Sequence, residues 1–287
     1  MTILVTGATG TIGRLVIQQL SQRGAAVRAL VRDPAKADFP ATVSVVQGDL
    51  LDPDALRSAL KDVSTLFLLN AAVADEFTQA LVTLNLAKEA GVRHVVYLSV
   101  INSDRSFNVP HFAGKYAVER MIEQMGIRAT ILRPAYFMSN ELTIKDAVQG
   151  YGVYPMPLGS KGIAMIDPRD IAEIATIALT SHADAAQPAV ERFNLVGPEN
   201  LTGTQAAAIW SEVLDRQIVY PGDDTLALEQ TLRNFMPSWM AYDMRLMADR
   251  FHTDGMLPAA GDVERLTGML GRPLRRYRDY VAEIAAR

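Results

Sequence analysis

The chain has 287 residues, 49% hydrophobic and 21% charged, which excludes an intrinsically disordered polymer and supplies a sizeable core. Lys and Arg total 28 against 32 Asp and Glu, so the formal charge is −4 and no basic excess points to nucleic acid. The absence of cysteine excludes disulfides, thiolate nucleophiles, Cys-ligated zinc and iron–sulfur clusters together. The longest apolar stretches, such as Leu66–Leu69 and Val95–Val100, have strand length and fall far short of a membrane span. No basic region or signal-type core precedes Thr2-Ile3-Leu4-Val5-Thr6. A cytoplasmic protein that engages neither membrane nor nucleic acid is expected.

In chain order, short β-branched runs alternate with helix-period segments. Strands are expected at Ile3–Thr6, Val27–Val31, Val43–Gln47, Thr65–Leu69, Val95–Ser99 and Thr130–Leu132. Helices are expected between them at Ile12–Gln22, Pro53–Leu60, Phe77–Ala90 and Phe112–Met125. Turn and cap signals stand at the joins: Arg23-Gly24, Asp33-Pro34, Asp52-Pro53, Ala90-Gly91 and Met125-Gly126. Strands apolar on both faces imply a parallel sheet covered by helices on each side. After about Pro134 the rhythm changes. Gly150–Gly162 reads as an irregular connection, followed by a strand at Gly162–Ile166, a helix from Asp167 to about Leu179 and a strand at Arg192–Val196. Helices are then expected at Thr204–Leu214, Thr225–Phe235, Ser238–Phe251, Val263–Leu270 and Leu274–Ala286. The expected fold is α/β: a doubly wound parallel sheet of Rossmann type over residues 1–135, then a smaller, mostly helical C-terminal substrate lobe over 136–287. Some later elements are free to rejoin the sheet.

Gly7-Ala8-Thr9-Gly10-Thr11-Ile12-Gly13 follows the first strand directly and opens the first helix. Gly7 permits a tight turn, Gly10 lets the backbone approach a pyrophosphate, and Gly13 lets helix and strand pack closely. The helix N-terminus favours an anionic ligand, so this strand–loop–helix is a candidate dinucleotide site. At the end of the second strand an acidic residue would suit the ribose 2′-hydroxyl of NAD. The chain has Arg32 there, with Lys36 one turn on, and a guanidinium can grip a 2′-phosphate. NADP(H) is therefore the expected cofactor. Asp33 either weakens that preference or caps the turn at Pro34.

The Gly-x-x-Gly-x-x-Gly spacing resembles that of extended and atypical short-chain dehydrogenases. Val31-Arg32-Asp33-Pro34, Gly48-Asp49-Leu50, His111-Phe112-Ala113-Gly114-Lys115 with Val118-Glu119, and Leu132-Arg133-Pro134-Ala135-Tyr136-Phe137-Met138 narrow the resemblance to the NmrA-like family. Asp167-Pro168-Arg169-Asp170-Ile171-Ala172 and Phe193-Asn194-Leu195-Val196-Gly197-Pro198 extend it over nearly the whole chain. That family includes redox-sensing regulators, quinone reductases and a triphenylmethane-dye reductase. The resemblance implies that Asp49 and Leu50 meet the adenine edge. It also implies that Leu69, Asn70 and Ala71 line the cofactor beyond the pyrophosphate, and that Pro134, Tyr136 and Phe137 lie beside the nicotinamide.

Ordinary short-chain dehydrogenases carry Tyr-x-x-x-Lys on a helix, one turn apart, with the tyrosine as general acid. None of the nine tyrosines here has a lysine four residues later. Lys115 stands in the lysine slot, His111 in the tyrosine slot, and Ser99 ends the fifth strand where a serine is expected. Two readings stay open. Lys115 anchors the cofactor ribose and hydride passes to an acceptor such as a quinone, with His111 or water supplying the proton. Alternatively, the protein binds NADP(H) without turnover and acts on a protein partner. His111 also has a structural alternative, as the opening of a helix after Pro110. His94, His182 and His252 lack the spacing of a metal site, and no metal is assigned.

The substrate expected is small, apolar and aromatic. Phe235, Met236, Trp239, Met240, Met244, Met247 and Phe251 recur at near-helical spacing, which suits either lobe packing or an adaptable apolar surface. Tyr151, Tyr154 and Met156 are further candidates for a substrate face. Arg272, Arg275, Arg276 and Arg278 form a basic cluster, read as a solvated helix face. A homodimer is left open.

Overall fold

A computed structural model describes residues 2–180 and 189–287; His182 lies outside the described residues. These residues divide into two compact units. The first draws on Met1–Ser103, His111–Arg133 and Ile171–Phe193, the second on Asp104–Pro110, Pro134–Asp170 and Asn194–Arg287.

The first unit is built on β1 (Thr2–Val5), α1 (Thr11–Gln22), β2 (Ala26–Val31), β3 (Ser44–Gln47), α2 (Pro53–Leu60), β4 (Val63–Leu68), α3 (Glu76–Glu89), β5 (His94–Leu98), α4 (Pro110–Met125) and β6 (Arg128–Pro134). Most of α6 (Pro168–Thr180) and of β7 (Val190–Leu195) also falls in the first unit, and the remaining elements are α5 (Glu141–Tyr151), α7 (Gly203–Leu214), α8 (Thr225–Leu232), α9 (Ser238–Thr253), α10 (Asp262–Leu270) and α11 (Tyr277–Ala285). Seven parallel strands are ordered β3-β2-β1-β4-β5-β6-β7, a doubly wound Rossmann-type sheet. The order reverses between β1 and β4, and ligands of such sheets bind outside the carboxyl ends of the strands there.

The elements follow from side-chain pattern. Every residue of β5 is buried, as a strand covered on both faces requires. Helix α1 turns Ile12, Val16, Ile17 and Leu20 inward, at helical spacing. Asp52 caps α2 by accepting from the Asp54 and Ala55 amides, with Pro53 at the first helical position. One core cluster gathers Leu66 and Leu68 of β4, Val95 and Tyr97 of β5, Leu84 of α3, and Val118 and Ile122 of α4.

Two expected elements differ in the second unit, and one helix there is additional. Gly162–Ile166 is not a regular strand: buried Ile163 bridges both Leu201 and Met256, and Ile166 bridges Phe137, so its backbone bonds go to separate partners. The last helix begins at Tyr277 rather than Leu274, because the Arg275 amide donates to Asp170 Oδ2 at 2.9 Å instead of entering a helical ladder. Helix α5 was not expected. Its core face begins with the fully buried carboxylate of Glu141, which breaks the apolar pattern formed by Ile144 and Val148.

Candidate functional site

The residues of the first unit expected to bind a cofactor follow the carboxyl ends of successive strands. Gly7–Gly13 follow β1, Arg32 follows β2, Asp49 and Leu50 follow β3, Leu69–Ala71 follow β4 and Ser99 follows β5. In a parallel sheet these ends share one edge.

The glycine loop is held from inside. Thr6, fully buried, accepts the Leu69 amide on Oγ1 at 2.8 Å and directs its hydroxyl to the Leu69 carbonyl at 2.9 Å, joining the loop to the end of β4. Gly7 has φ +58°, in the left-handed region that favours glycine. A Cβ on Gly13 would stand 2.2 Å from the Gly7 carbonyl oxygen, so helix and loop touch backbone to backbone. Gly10 starts α1, and a Cβ there would meet only the Gly7 oxygen, at 3.3 Å. Ala8 and Ile12 are buried, whereas Thr9 and Thr11 are exposed.

At the end of β2, Arg32 is exposed, and its guanidinium makes no hydrogen bond or ion pair among the described residues. Asp33 caps the turn: its Oδ1 accepts the Ala35 amide at 3.0 Å. Lys36 is exposed on the same turn. Arg14, which nothing in the sequence singled out, donates from Nε to the Thr9 carbonyl and from Nη2 to the Lys36 carbonyl, at 2.9 and 2.7 Å. Asp49 Oδ1 accepts the Leu51 amide at 2.9 Å, while Leu50 packs on the core cluster. Asn70 is buried; its Nδ2 donates to Gln79 Oε1 at 3.4 Å, and its Oδ1 has no hydrogen-bond partner among the described residues.

His111 and Lys115 lie on α4, where the His111 ring meets Phe112 edge-on at 4.6 Å. Lys115 Nζ donates to Glu76 Oε1 at 2.5 Å and lies 6.0 Å from the centre of the Tyr97 ring. Burial, and then the carboxylates of Glu76 and Glu119, push the Tyr97 pKa well above its ordinary value, so its hydroxyl stays protonated. Glu119, one turn beyond Lys115, has no exposure. It accepts Ser99 Oγ at 2.5 Å, Ser103 Oγ at 3.1 Å and Arg133 Nη2 at 2.6 Å. A carboxylate only accepts, so the Ser99 proton goes to Glu119 and its oxygen keeps acceptor capacity alone. His111, Lys115 and Glu119 stand at intervals of four, a spacing that could have drawn attention to Glu119. Glu76 gives no such signal, since acidic residues are common in the first turn of a helix.

Pro134, Tyr136 and Phe137 belong to the second unit. Tyr136 is buried, meets the Phe251 ring at 5.9 Å, and its carbonyl accepts the Ile166 amide at 2.9 Å. Tyr154 is fully buried against Glu141 rather than on a substrate face, whereas Tyr151 is exposed. In α9, Phe251 is core and Trp239 is exposed, as is Phe235 just before the helix. The basic cluster is paired rather than merely solvated: Arg272 and Arg275 hold Asp170, Arg276 holds Glu199 and Arg278 holds Glu212. His94 and His252 hydrogen-bond to Thr130 Oγ1 and the Pro157 carbonyl, at 3.2 and 3.0 Å. No described helix is long and apolar enough to cross a membrane.

A doubly wound parallel sheet with a glycine-lined helix start at its reversal point defines a dinucleotide-binding protein of Rossmann type. The model of the NmrA-like family matches residues 1–278, and the chain belongs to that family. It is 31% identical to an NAD(P)H azoreductase from Xenophilus azovorans, over 99% of this chain and 98% of that one. It is 32% identical to a (4-alkanoyl-5-oxo-2,5-dihydrofuran-3-yl)methyl phosphate reductase from Streptomyces griseus subsp. griseus, again over 99% and 98%. Among solved structures, an NADPH-dependent quinone oxidoreductase from Escherichia coli, complexed with NADPH, superimposes with a TM-score of 0.87 at 27% identity, covering 98% of this chain and 99% of that one.

Proposed function

We propose that this chain is an NADP(H)-dependent oxidoreductase that reduces a quinone or a similar flat, apolar acceptor. The observation that carries the reading is the edge of the sheet around the reversal point. There a helix N-terminus stands behind a loop with no side chain at Gly7, Gly10 or Gly13, and an exposed guanidinium with no hydrogen bond or ion pair among the described residues follows the next strand.

The residues fit the cofactor on two counts. Gly10 leaves open the space that a Cβ would fill, and Asn70 Oδ1 is a buried acceptor with its hydrogen bond still to make. The amides at the start of α1 hold the pyrophosphate, and Arg32 grips the 2′-phosphate with Lys36 adding charge. Asp49 and Leu50 border the adenine, Leu69–Ala71 follow the chain of the cofactor, and Lys115 takes the nicotinamide ribose. NADPH, when bound, supplies the hydride. Ser99 orients as a hydrogen-bond acceptor, and His111 or water returns a proton to the acceptor oxygen. The relatives support this reading through what they are named for: NAD(P)H azoreductase and NADPH-dependent quinone oxidoreductase.

The test is NADPH consumption by the pure protein, followed optically against quinones and azo dyes. Turnover faster with NADPH than with NADH is expected. NADPH binding with no turnover across the panel would instead favour a sensor that acts through a protein partner.

A further inference from the structure

Asn70 and Lys115 are both held from the first turn of α3. Gln79 Oε1 accepts from Asn70 Nδ2, and Gln79 Nε2 donates to Asp75 Oδ1 at 3.1 Å. Glu76, in the same turn, accepts from Lys115 Nζ at 2.5 Å. The Lys115 and Glu76 side chains are only 12% and 10% exposed, so the pair is largely withdrawn from water, where opposite charges attract far more strongly than at a wet surface. It joins α3 to α4, two helices that both contribute residues to the core cluster.

We infer that Glu76 is a positioning residue for the nicotinamide ribose, acting through Lys115; this rests on the cofactor reading proposed above. A lysine ammonium carries three donors and no acceptor. Glu76 engages one of them and so fixes the ammonium on a flexible four-carbon stem, leaving two for the ribose hydroxyls. Its charge also balances that of Lys115. The lysine then works as a hydrogen-bonding anchor and not as the cation that, in ordinary short-chain dehydrogenases, draws down the pKa of a tyrosine acid. Without Glu76 the nearly buried ammonium would have no carboxylate beside it and would be drawn toward solvent, away from the ribose.

The experiment compares NADPH with 2′,5′-ADP, which carries the adenosine and 2′-phosphate but no nicotinamide ribose. Dissociation constants are measured on the full chain by fluorescence for NADPH and by calorimetry for 2′,5′-ADP. Glu76→Gln should raise the NADPH constant about tenfold, the scale of one charge-assisted hydrogen bond, and leave that for 2′,5′-ADP within about twofold. Retained 2′,5′-ADP binding also shows that the variant folds. In a Lys115→Met background, Glu76→Gln should have no further effect on NADPH, because the two act as one unit. Equal weakening of both ligands, no weakening of NADPH, or full additivity with Lys115→Met would overturn the inference while wild-type binding leaves the cofactor reading standing. A wild-type protein that binds neither ligand would overturn both.

Discussion

The Arg14 guanidinium lies 2.7 Å from the Lys36 carbonyl while its Nε donates to the carbonyl of Thr9. One side chain thus ties the glycine loop to the turn after β2, the two segments proposed to hold the pyrophosphate and the 2′-phosphate. A cation in the first turn of a helix opposes the helix dipole, and α1 has no acidic residue there to offset it. The hydrogen bonds to carbonyl oxygens supply the compensation. Arg14→Ala should loosen the Lys36 turn and weaken NADPH by about three- to tenfold, with less effect on NADH. Paired titrations with the two nucleotides check this; equal losses would mean that Arg14 merely supports the helix start.

Arg32 makes the stronger claim on cofactor choice. Replacing it with a carboxylate puts like charge beside a 2′-phosphate and removes a guanidinium fork. Arg32→Glu should cost NADPH binding at least about tenfold and bring the NADH constant level with it or below. Selectivity that does not move would take Arg32 out of the site.

The glycines separate binding from folding. At Gly13 a Cβ would collide with backbone at 2.2 Å, so Gly13→Ala should destabilise the fold by about 1–3 kcal/mol or more, visible in urea unfolding. At Gly10 the backbone is extended, with φ −77° and ψ 171°, and the nearest neighbour of a Cβ is 3.3 Å away. Gly10→Ala asks the Gly7 carbonyl to give by only a few tenths of an ångström, so it should lose far less stability than Gly13→Ala yet lose NADPH affinity, because its methyl group fills the approach of the pyrophosphate. Unchanged affinity in that variant would count against the proposed cradle.

The strands and helices through β6 were legible because alternation and capping act within a few residues of sequence. Gly7, Gly10 and Gly13 were legible for the same reason. What escaped is what the fold assembles from a distance. Thr6 reads as an ordinary strand-end threonine until β4 is set beside it, and Arg14 as a solvated helix residue until the β2 turn closes over it. Glu76, Glu119 and Glu141 look like surface carboxylates in a one-dimensional pattern. Each is nevertheless buried, because partners 13 to 136 residues away supply its hydrogen bonds. The basic cluster near residue 275 shows the same effect, since Asp170, Glu199 and Glu212 are far from it in sequence.

Glu119 is the buried charge on which the end of β5 depends. Its carboxylate has no exposure, and Arg133, 12% exposed, donates to it from Nε and Nη2. Glu119→Gln keeps the shape but leaves a guanidinium nearly buried without its counter-charge, which should cost about 3–5 kcal/mol of unfolding free energy. Denaturant titration measures it. A loss below about 1 kcal/mol would place the pair in the class of weak surface bridges, contrary to its burial.

Glu141 predicts a pH dependence of the opposite sense to that of a salt-bridged carboxylate. It is fully buried, and among the described residues no cation is hydrogen-bonded to it: Trp210 Nε1 and Tyr277 Oη donate to Oε2 at 3.0 and 2.7 Å, and Tyr154 Oη donates to Oε1 at 2.9 Å. Burial raises its pKa above the ordinary 4.5, and the three hydrogen bonds oppose the shift without cancelling it. A carboxyl whose pKa is higher folded than unfolded contributes stability that is complete below the unfolded value and lost as pH rises through the folded one. Glu141→Gln removes that titration. Urea unfolding of both proteins at steps from about pH 5 to about pH 8 should therefore show the variant gaining on the wild type as pH rises. If the wild type gains instead, the three donors outweigh burial, and the ionised carboxylate is the form that the fold of the second unit selects.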